Sequence, residues 1–319
     1  MSASLLIIYT LTAFTISVLF FPVLIKLLKQ WNLFDKPGDH KIHQDFTPSM
    51  GGICIMLGVI FTLLISFPFQ EWIQLKYFFV ALAIMFITGL RDDILALDPV
   101  RKLIGQFLPV LILVVFGNVY LNSFYGTFDA FLFPTWAGWV ITIFTIIILT
   151  NSYNLIDGLD GLAGTIGLVI LLFFGCWFYI AGYPYFSTIA FAFCGSIVAF
   201  LIFNWQPSKI FMGDTGALAI GLVLSYLSIH FINLNYALPV DHPARFQASI
   251  GTAVCVLIIP IFDTLRVIIL RLRKFESPFH ADRNHLHHQF LNLGFSHSKA
   301  TLMLNAHHAA VGQVFLRQR

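Results

Sequence analysis

The sequence predicts an all-α, polytopic integral membrane protein with about ten transmembrane helices. Of its 319 residues, 58% are hydrophobic and 10% are charged, whereas soluble domains carry about 25% charged residues. The apolar residues form repeated runs of the roughly 20 residues that a helix needs to cross a bilayer. The basic residues collect in alternate connections between these runs, which is the pattern that indicates orientation in membrane proteins.

The predicted spans follow one another in a single membrane domain, residues 1–319, without a separate soluble domain. They cover residues 4–28, 51–67, 75–90, 103–119, 136–150, 162–180, 186–203, 217–232, 247–269 and, weakly, 300–315. Pro260 is expected to kink the ninth span. The segment 298–319 contains Asn305, His307 and His308, ends in Arg-Gln-Arg, and makes a poor final span. Either its helix packs inside a bundle or a homodimer, or the chain is shortened at this end.

The first span has no basic stretch before it, and Lys26 and Lys29 follow it. It is therefore expected to be uncleaved, with the N-terminus outside. Alternation from there places fourteen of the eighteen lysines and arginines on the cytoplasmic side. The four on the outer side are Lys76, Arg245, Arg317 and Arg319.

Carboxylates also gather in the connections that are predicted to be cytoplasmic. Ten of the fifteen lie there, namely Asp35, Asp39, Asp45, Asp92, Asp93, Asp98, Asp157, Asp160, Asp214 and Asp282. Acids, histidines and a few lysines at one interface suit a metal ion and a charged substrate beside membrane lipid. No basic cluster with interleaved aromatic residues predicts nucleic-acid binding.

The first cytoplasmic connection leads into Gly51-Gly52 at the start of the second span. Two glycines there let backbone amides approach an anionic ligand, or they allow close packing; for this pair alone, packing is the favoured interpretation. The second connection contains the adjacent carboxylates Asp92 and Asp93. They repel each other unless a cation offsets them. Mg²⁺ fits because it binds one or two carboxylates together with phosphate oxygens; pairing with neighbouring arginines is the alternative.

The third connection reads Asn151-x-x-Asn154-x-x-Asp157-Gly-x-Asp160-Gly. Polar groups at every third residue lie along one side of a tight helical turn. This pattern favours hydrogen bonds to a sugar or base, or a metal ion shared with another connection.

The fourth connection carries Asn204, Phe211 and Asp214. Taken alone, Asp214 suits a helix N-cap. Phe211 suits either stacking on a nucleobase or anchoring at the membrane interface, and the second is common for aromatic residues. The last connection holds an arginine and three histidines, Arg283, His285, His287 and His288, which fit phosphate contact as well as zinc binding.

Taken in order on one face, the Asp92-Asp93 pair, the Asn/Asp repeat, Phe211-x-Gly-Asp214 and His285-Leu-His-His resemble the polyprenyl-phosphate N-acetylhexosamine-1-phosphate transferases of glycosyltransferase family 4. The resemblance extends from about Lys36 to His288. It implies that undecaprenyl phosphate attacks the β-phosphorus of a UDP-N-acetylhexosamine in a bacterial cytoplasmic membrane. The products are the prenyl-diphospho-sugar and UMP, and Mg²⁺, with Mn²⁺ as a substitute, is the implied cofactor.

The resemblance also implies roles for individual residues. Asp92, Asp93 and Asp214 match the family's catalytic and metal-binding acids. The substrate-binding positions that it implies are Lys102, Asn154, Asp157, Asp160, Asn204, Phe211, His43, Arg283, His285, His287 and His288.

The histidine motif bears on the choice between branches of this family. His-Leu-His-His resembles the branch that begins O-antigen, common-antigen or teichoic-acid linkage chains with GlcNAc 1-phosphate. The alternative, a phospho-MurNAc-pentapeptide transferase of peptidoglycan synthesis, normally has three consecutive histidines. A secondary transporter is a remote alternative, because the acids cluster at span ends and only Asp263 lies well inside a span, whereas transport sites lie near the bilayer midplane.

Overall fold

The computed structural model describes residues 2–31, 47–126 and 132–273. Within these ranges β structure is limited to one isolated bridge between Ser123 and Leu132. The helices are α1 (Ala3–Gln30), α2 (Gly52–Ser66), α3 (Phe69–Leu95), α4 (Pro99–Leu111), α5 (Thr135–Leu155), α6 (Leu162–Ile180), α7 (Pro184–Asn204), α8 (Gly213–Ala237), α9 (Ser249–Val256) and α10 (Ile258–Arg273). A π-helical turn, Ile112–Phe116, continues α4.

Seven of the described helices are long and apolar enough to cross a membrane, and the bent α9–α10 pair would make an eighth span. The shorter apolar helix α2, with 15 residues, occupies the second predicted span. The chain is therefore a multi-pass, all-helical membrane protein. Each of the first nine predicted spans coincides with a helix or with the bent pair. The tenth, 300–315, lies outside the described residues, so the total of ten spans stays a prediction.

Pro260 explains why the ninth predicted span is broken into two helices. The axes of α9 and α10 differ by 79°, and the break falls between Val256 and Ile258. A proline has no N–H for the carbonyl four residues earlier, and its ring clashes with that carbonyl. For Pro260 that residue is Val256, so the predicted kink is confirmed, and it lies one turn before the proline.

The core of the bundle is built around α8. In the most apolar stretch of 18 residues, 83% of the residues of α8 are buried, whereas only 22% of those of α1 are buried. α8 packs against α2, α3, α5, α6 and α9, and α1 packs against α2 and α7 at the periphery. The outer face of α1 exposes large apolar side chains such as Leu19, at 66%, as expected for a surface that faces lipid.

One end of the bundle carries the polar connections. Because successive helices alternate in direction, α1, α3, α5 and α7 end there, and α2, α4, α6 and α8 begin there. Contacts between distant parts of the chain confirm this arrangement, since Lys102 of α4 reaches Asp214 of α8 and Gly52 of α2 bonds to Met212. The polar end thus gathers, as predicted, those six of the ten acids that lie within the described residues. That this end is cytoplasmic stays a prediction from the distribution of basic residues.

Candidate active site

A lysine and two carboxylates from three helices form the centre of the polar end. The Lys102 ammonium group lies 2.9 Å from Asp92 Oδ2 and 2.5 Å from Asp214 Oδ1. Asp92 is 8% exposed, and its other oxygen accepts the Leu97 N–H at 2.7 Å. The amide of Asn154, at the end of α5, also donates to Asp214 Oδ1. Four residues that are far apart in sequence, each predicted to belong to the site, therefore converge.

Asp93, unlike Asp92, binds the start of α8. Its carboxylate accepts the N–H groups of Asp214 at 2.8 Å and of Thr215 at 2.9 Å, and also the Thr215 hydroxyl. The first N–H groups of a helix have no partner within it. Asp93 supplies these partners from α3, so it acts as a cap for another helix.

The N-cap interpretation of Asp214 is wrong. α8 begins at Gly213, so Asp214 lies inside its first turn, and the N-cap residue Met212 makes no side-chain capping bond. A carboxylate in a first helical turn is favoured by the helix dipole. The Asp214 side chain is thereby left to contact Lys102 and Asn154.

The segment before α2 holds the segment before α8 through backbone bonds. Phe211 N–H donates to the Pro48 carbonyl at 2.9 Å, and Gly51 N–H donates to the Phe211 carbonyl at 2.8 Å. Gly52 N–H donates to the Met212 carbonyl at 3.0 Å. The two glycine amides are therefore engaged within the protein, and the packing interpretation of Gly51-Gly52 is confirmed.

Glycines also let the helices approach the start of α8 closely. A Cβ on Gly52 would lie 2.1 Å from Gly216 N, and one on Gly89 would lie 2.3 Å from the Asp214 carbonyl oxygen. Close backbone approach through small residues is typical of helix packing in membranes. The position of Asp214 is thus set by α2 and α3 together.

The connection between α5 and α6 is tied to the connection that follows α7 by Asn204. The Asn204 side chain accepts the Gly161 N–H at 2.8 Å and donates to the Ile210 carbonyl at 2.9 Å. Asn204 is 3% exposed and Asp160 is 4% exposed. Asn204 therefore positions the two connections on either side of the site, and its predicted contact with substrate stays a prediction.

Asp157 lies in the same α5–α6 connection, outside the helices. Burial, together with the nearby carboxylates of Asp214 and Asp93, raises its pKa from 3.8 to about 7, while the Gly213 N–H acts in the opposite direction. A carboxyl group with such a pKa is only partly ionised at neutral pH. Asp157 is therefore a hydrogen-bonding group with a variable charge next to the acidic cluster.

Of the other residues predicted to belong to the site, Phe211 is half-buried in the connection before α8. The predicted residues that lie outside the described part of the chain are His43, Arg283, His285, His287 and His288.

Sequence reasoning missed Thr215 and the side-chain partnership of Gln106 with Asn151. The two amides pair reciprocally, with distances of 3.2 and 2.6 Å between their nitrogen and oxygen atoms. They join α4, which carries Lys102, to α5, which carries Asn154. A signal for Thr215 was present, since a hydroxyl in the first turn of a helix after an acid suits a capping interaction.

The donor set at the centre fits a hard divalent cation. Asp92 and Asp214 direct carboxylate oxygens at a single ammonium group, so the pair already binds one cation. Within residues 2–31, 47–126 and 132–273, no three His, Cys, Asp or Glu side chains form a metal-binding group. Mg²⁺ matches such a set because it binds through one or two carboxylates and takes its other ligands from water and substrate phosphates.

Comparison with known proteins identifies the family. The profile described as glycosyl transferase family 4 matches residues 75–232, from α3 into α8. The chain is 30% identical over 284 residues to the "Probable undecaprenyl-phosphate N-acetylglucosaminyl 1-phosphate transferase" of Bacillus subtilis (strain 168), which covers 89% of this chain and 76% of the relative.

Two further relatives are both named "Undecaprenyl-phosphate alpha-N-acetylglucosaminyl 1-phosphate transferase". The protein of Escherichia coli O157:H7 is 30% identical over 298 residues, which are 91% of this chain and 77% of the relative. The protein of Yersinia pestis is 28% identical over 298 residues, which are 91% of this chain and 78% of the relative. The resemblance inferred from the motifs is confirmed, and the chain belongs to glycosyl transferase family 4.

Proposed function

We propose that this protein transfers GlcNAc 1-phosphate from UDP-GlcNAc to undecaprenyl phosphate. The observation that carries the proposal is the Lys102 ammonium group held between Asp92 and Asp214 where membrane helices end. Such a cluster suits a diphosphate on one substrate and a phosphate on a lipid. The names of the relatives agree with this reaction. The proposed setting is the cytoplasmic membrane of a bacterium, at the first step of a cell-envelope polysaccharide.

In the proposed reaction one phosphate oxygen of the lipid bonds to the β-phosphorus of the UDP-sugar. The bond from that phosphorus to the bridging oxygen breaks, and UMP leaves with the electron pair. One diphosphate bond replaces another, so we expect the reaction to be close to thermoneutral and to reverse when UMP is added. Because one substrate is soluble and the other is a lipid, the site has to lie at the membrane interface, where the acidic cluster is.

Asp92 and Asp214 are the proposed Mg²⁺ ligands among the described residues. The bound ion would neutralise charge on the diphosphate oxygens. Asp93, which was expected to be a third ligand, is engaged with the N–H groups of Asp214 and Thr215. We assign it to positioning Asp214.

Lys102 is the group that we expect to bind phosphate oxygens, because it is a flexible cation beside the two acids. Asn154 orients the Asp214 carboxylate through its amide. Asp92 is not required as a general base, since a phosphate monoester has a second pKa of about 6 and is mainly dianionic at neutral pH. Phosphoryl transfer depends mostly on positioning and charge stabilisation, and these are the roles assigned to this cluster.

The uridine and sugar parts of the donor are assigned to the surrounding connections. Asp157, Asp160 and Phe211 lie in the connections before α6 and α8, and the charges of Asp214 and Asp93 act on Asp157. We propose that they bind uridine and the diphosphate, with Phe211 stacking on uracil. The sugar-binding role of the Arg283 to His288 motif and of His43 rests on the motif resemblance.

The test is UMP release by the purified protein with undecaprenyl phosphate, Mg²⁺ and a panel of UDP-sugars. The panel includes UDP-GlcNAc, UDP-GalNAc and UDP-MurNAc-pentapeptide. We expect lipid-dependent UMP from UDP-GlcNAc, and we expect Asp214→Asn or EDTA to abolish it. Asp241→Asn, an exposed acid at the opposite end of the bundle, is the matched control and should retain wild-type activity.

The pattern across the panel separates the alternatives. UMP from UDP-MurNAc-pentapeptide alone would move the chain to the peptidoglycan branch of the family. UMP from no donor, with a relative active in the same assay, would refute the proposed reaction for this chain.

A further inference from the structure

A basic cavity lies between α1 and α7, apart from the acidic cluster. Its volume is about 570 Å³, and it is lined by Pro22, Ile25, Lys26 and Lys29 of α1, by Phe203 of α7 and by Lys209 of the connection that follows α7. The Lys209 N–H donates to the Phe203 carbonyl at 2.7 Å, which holds this connection against the end of α7. The cavity therefore has fixed walls from two helices and one tethered turn.

The charged side chains that line this cavity carry one sign, as far as residues 2–31, 47–126 and 132–273 are concerned. Three of the described lining side chains are lysines and none is acidic. All three lysines are exposed, and no acid in the described ranges pairs with them. Lys102 differs because Asp92 and Asp214 neutralise it. Within the described part of the chain, the cavity is therefore a site of positive charge without an acidic partner.

Apart from the lysines and Gln30, the lining side chains are apolar, and they continue into the lipid-facing surface. Phe203 stacks on Phe21 with ring centroids 5.0 Å apart, which gives the cavity a rigid aromatic wall. Above it along α1, Val23 and Leu19 are 53% and 66% exposed. A ligand that fits this surface has an anionic head for the lysines and hydrocarbon for the outer face of α1.

The location of the cavity indicates that its ligand is not the acceptor lipid of the proposed reaction. Asp92, Lys102 and Asn154 belong to α3, α4 and α5, whereas α1 packs against α2 and α7. A phosphate held by Lys26 and Lys29 on α1 would thus be on a different side of the bundle from the acidic cluster. A reacting phosphate has to contact that cluster.

We infer that this cavity binds the phosphate headgroup of an anionic membrane phospholipid, such as phosphatidylglycerol, with its acyl chains along α1. Basic pockets between membrane helices are suited to such headgroups, and each lysine near an anionic lipid contributes about 1 kcal/mol. The inference does not depend on the transfer reaction. Its test is accordingly a binding measurement and not an activity assay.

The test is native mass spectrometry of the full-length protein, released from detergent after titration with dioleoyl-phosphatidylglycerol or dioleoyl-phosphatidylcholine. The two lipids have the same chains and differ in net charge. We expect one phosphatidylglycerol to bind at least tenfold more tightly than phosphatidylcholine. We expect the affinity for phosphatidylglycerol to fall roughly fivefold, equivalent to about 1 kcal/mol, in each of the variants Lys26→Gln, Lys29→Gln and Lys209→Gln.

Two further variants make the test specific. Lys76→Gln removes an exposed lysine near the other end of the bundle and should leave the phosphatidylglycerol affinity unchanged. Lys26→Arg with Lys29→Arg keeps the charge and should keep the affinity, which separates charge from folding. Asp214→Asn should also bind phosphatidylglycerol normally, even though its transfer activity is expected to be lost.

Four results would overturn the inference. The first is equal binding of the two lipids, and the second is a phosphatidylglycerol preference that survives substitution of all three lysines. The third is displacement of phosphatidylglycerol by undecaprenyl phosphate or inorganic phosphate at equimolar concentration, because the cavity would then belong to the acceptor or to a soluble anion. The fourth is a dimer that the triple variant loses, because this face would then join two copies of the chain.

Discussion

The carboxylate of Asp93 in α3 accepts both the N–H and the hydroxyl of Thr215 in α8. The same carboxylate accepts the Asp214 N–H at 2.8 Å. The two residues are 122 positions apart in sequence, so this contact fixes the start of one membrane helix against the end of another. Since one of the two capped N–H groups belongs to Asp214 itself, the position of the Asp214 carboxylate depends on Asp93.

Thr215→Val is therefore expected to lower activity although Thr215 does not contact Asp92 or Lys102. It removes one hydrogen bond to a charged group, which typically contributes about 1.5–3 kcal/mol. We expect a fall in kcat of roughly tenfold, equivalent to about 1.4 kcal/mol, with the half-saturating Mg²⁺ concentration unchanged. The measurement is UMP release over a Mg²⁺ titration. Asp93→Asn should act in the same direction and more strongly.

The Mg²⁺ titration decides between positioning and metal binding for Asp93. If Asp93 were a ligand, Asp93→Asn would raise the half-saturating Mg²⁺ concentration, whereas Thr215→Val would have no such effect. Thr165→Val serves as the matched control, because its hydroxyl bonds locally to the Gly161 carbonyl in α6. It should leave both kcat and the Mg²⁺ dependence near wild type.

Lys102→Gln is expected to make the protein more dependent on Mg²⁺ for stability. The ammonium group bonds to Asp92 and Asp214, and the three side chains are 19%, 7% and 26% exposed. Removing one partner of a buried ion pair costs about 3–5 kcal/mol because the other charge stays uncompensated. We expect a lower apparent Tm in EDTA, and a larger rise in Tm on adding Mg²⁺ than in the wild type.

Arg101→Gln is the matched control for this measurement. Arg101 pairs with Asp98 at 2.8 Å, but the two side chains are 75% and 49% exposed, and such surface pairs contribute little. Its Mg²⁺-dependent shift in Tm should equal that of the wild type. Equal shifts in Lys102→Gln and the wild type would mean that the lysine and the metal ion do not share this pair of acids.

Hydropathy predicted the location of the spans because the bilayer fixes how many apolar residues a span needs, although α3 begins at Phe69 and not at residue 75. The first nine predicted spans overlap described helices, and the α9–α10 break follows from Pro260. Because successive spans alternate in direction, the predicted spans also placed Asp92, Asp214 and Asn154 at one end of the bundle. Their contact could not be derived from hydropathy, since apolar periodicity does not specify which helices are neighbours.

The errors and omissions arose where a residue acts on another helix. Asp214 suited an N-cap by position, yet the cap comes from Asp93, 121 residues earlier. For Gly51-Gly52 the sequence favoured packing over ligand binding, and the engaged amides and the close approach of Gly52 to Gly216 confirm packing. Local sequence patterns give residue type and spacing, whereas these roles depend on tertiary neighbours.

Asp157 should make stability depend on pH in the direction opposite to that of an ordinary salt-bridged acid. In the folded protein its pKa is raised from 3.8 to about 7, mainly by burial. Between about pH 4 and 7 the folded state keeps this proton while the unfolded state releases it, so stability falls as pH rises. The contribution is about 1.4 kcal/mol for each pH unit in that window.

The measurement is the apparent Tm of wild type and Asp157→Asn across this pH range in detergent. The Tm of the wild type should fall relative to that of the variant as pH rises, and the difference should level off above about pH 7. Asp214→Asn should narrow the window, because the Asp214 charge contributes to the raised pKa of Asp157. A difference that is constant with pH would show that Asp157 ionises alike in both states.

Gly52→Ala should separate α2 from the start of α8 and disturb the whole site. The new Cβ would lie 2.1 Å from Gly216 N and 2.4 Å from Gly216 Cα. These are backbone atoms, so the overlap can be relieved only by moving a helix. Overpacking of this kind typically costs about 1–3 kcal/mol. The expected results are a lower apparent Tm and a loss of UMP release that excess Mg²⁺ does not restore.

Gly251→Ala in α9 is the control that separates this contact from a general effect of replacing glycine. Its added Cβ would come no closer than 3.4 Å to the Ala248 Cβ, and alanine favours a helix over glycine by about 1 kcal/mol. The Tm should therefore stay the same or rise slightly, with activity retained. If Gly52→Ala behaved in the same way, α2 and α8 would not be in backbone contact. The position of Asp214 would then have to be set by α3 alone.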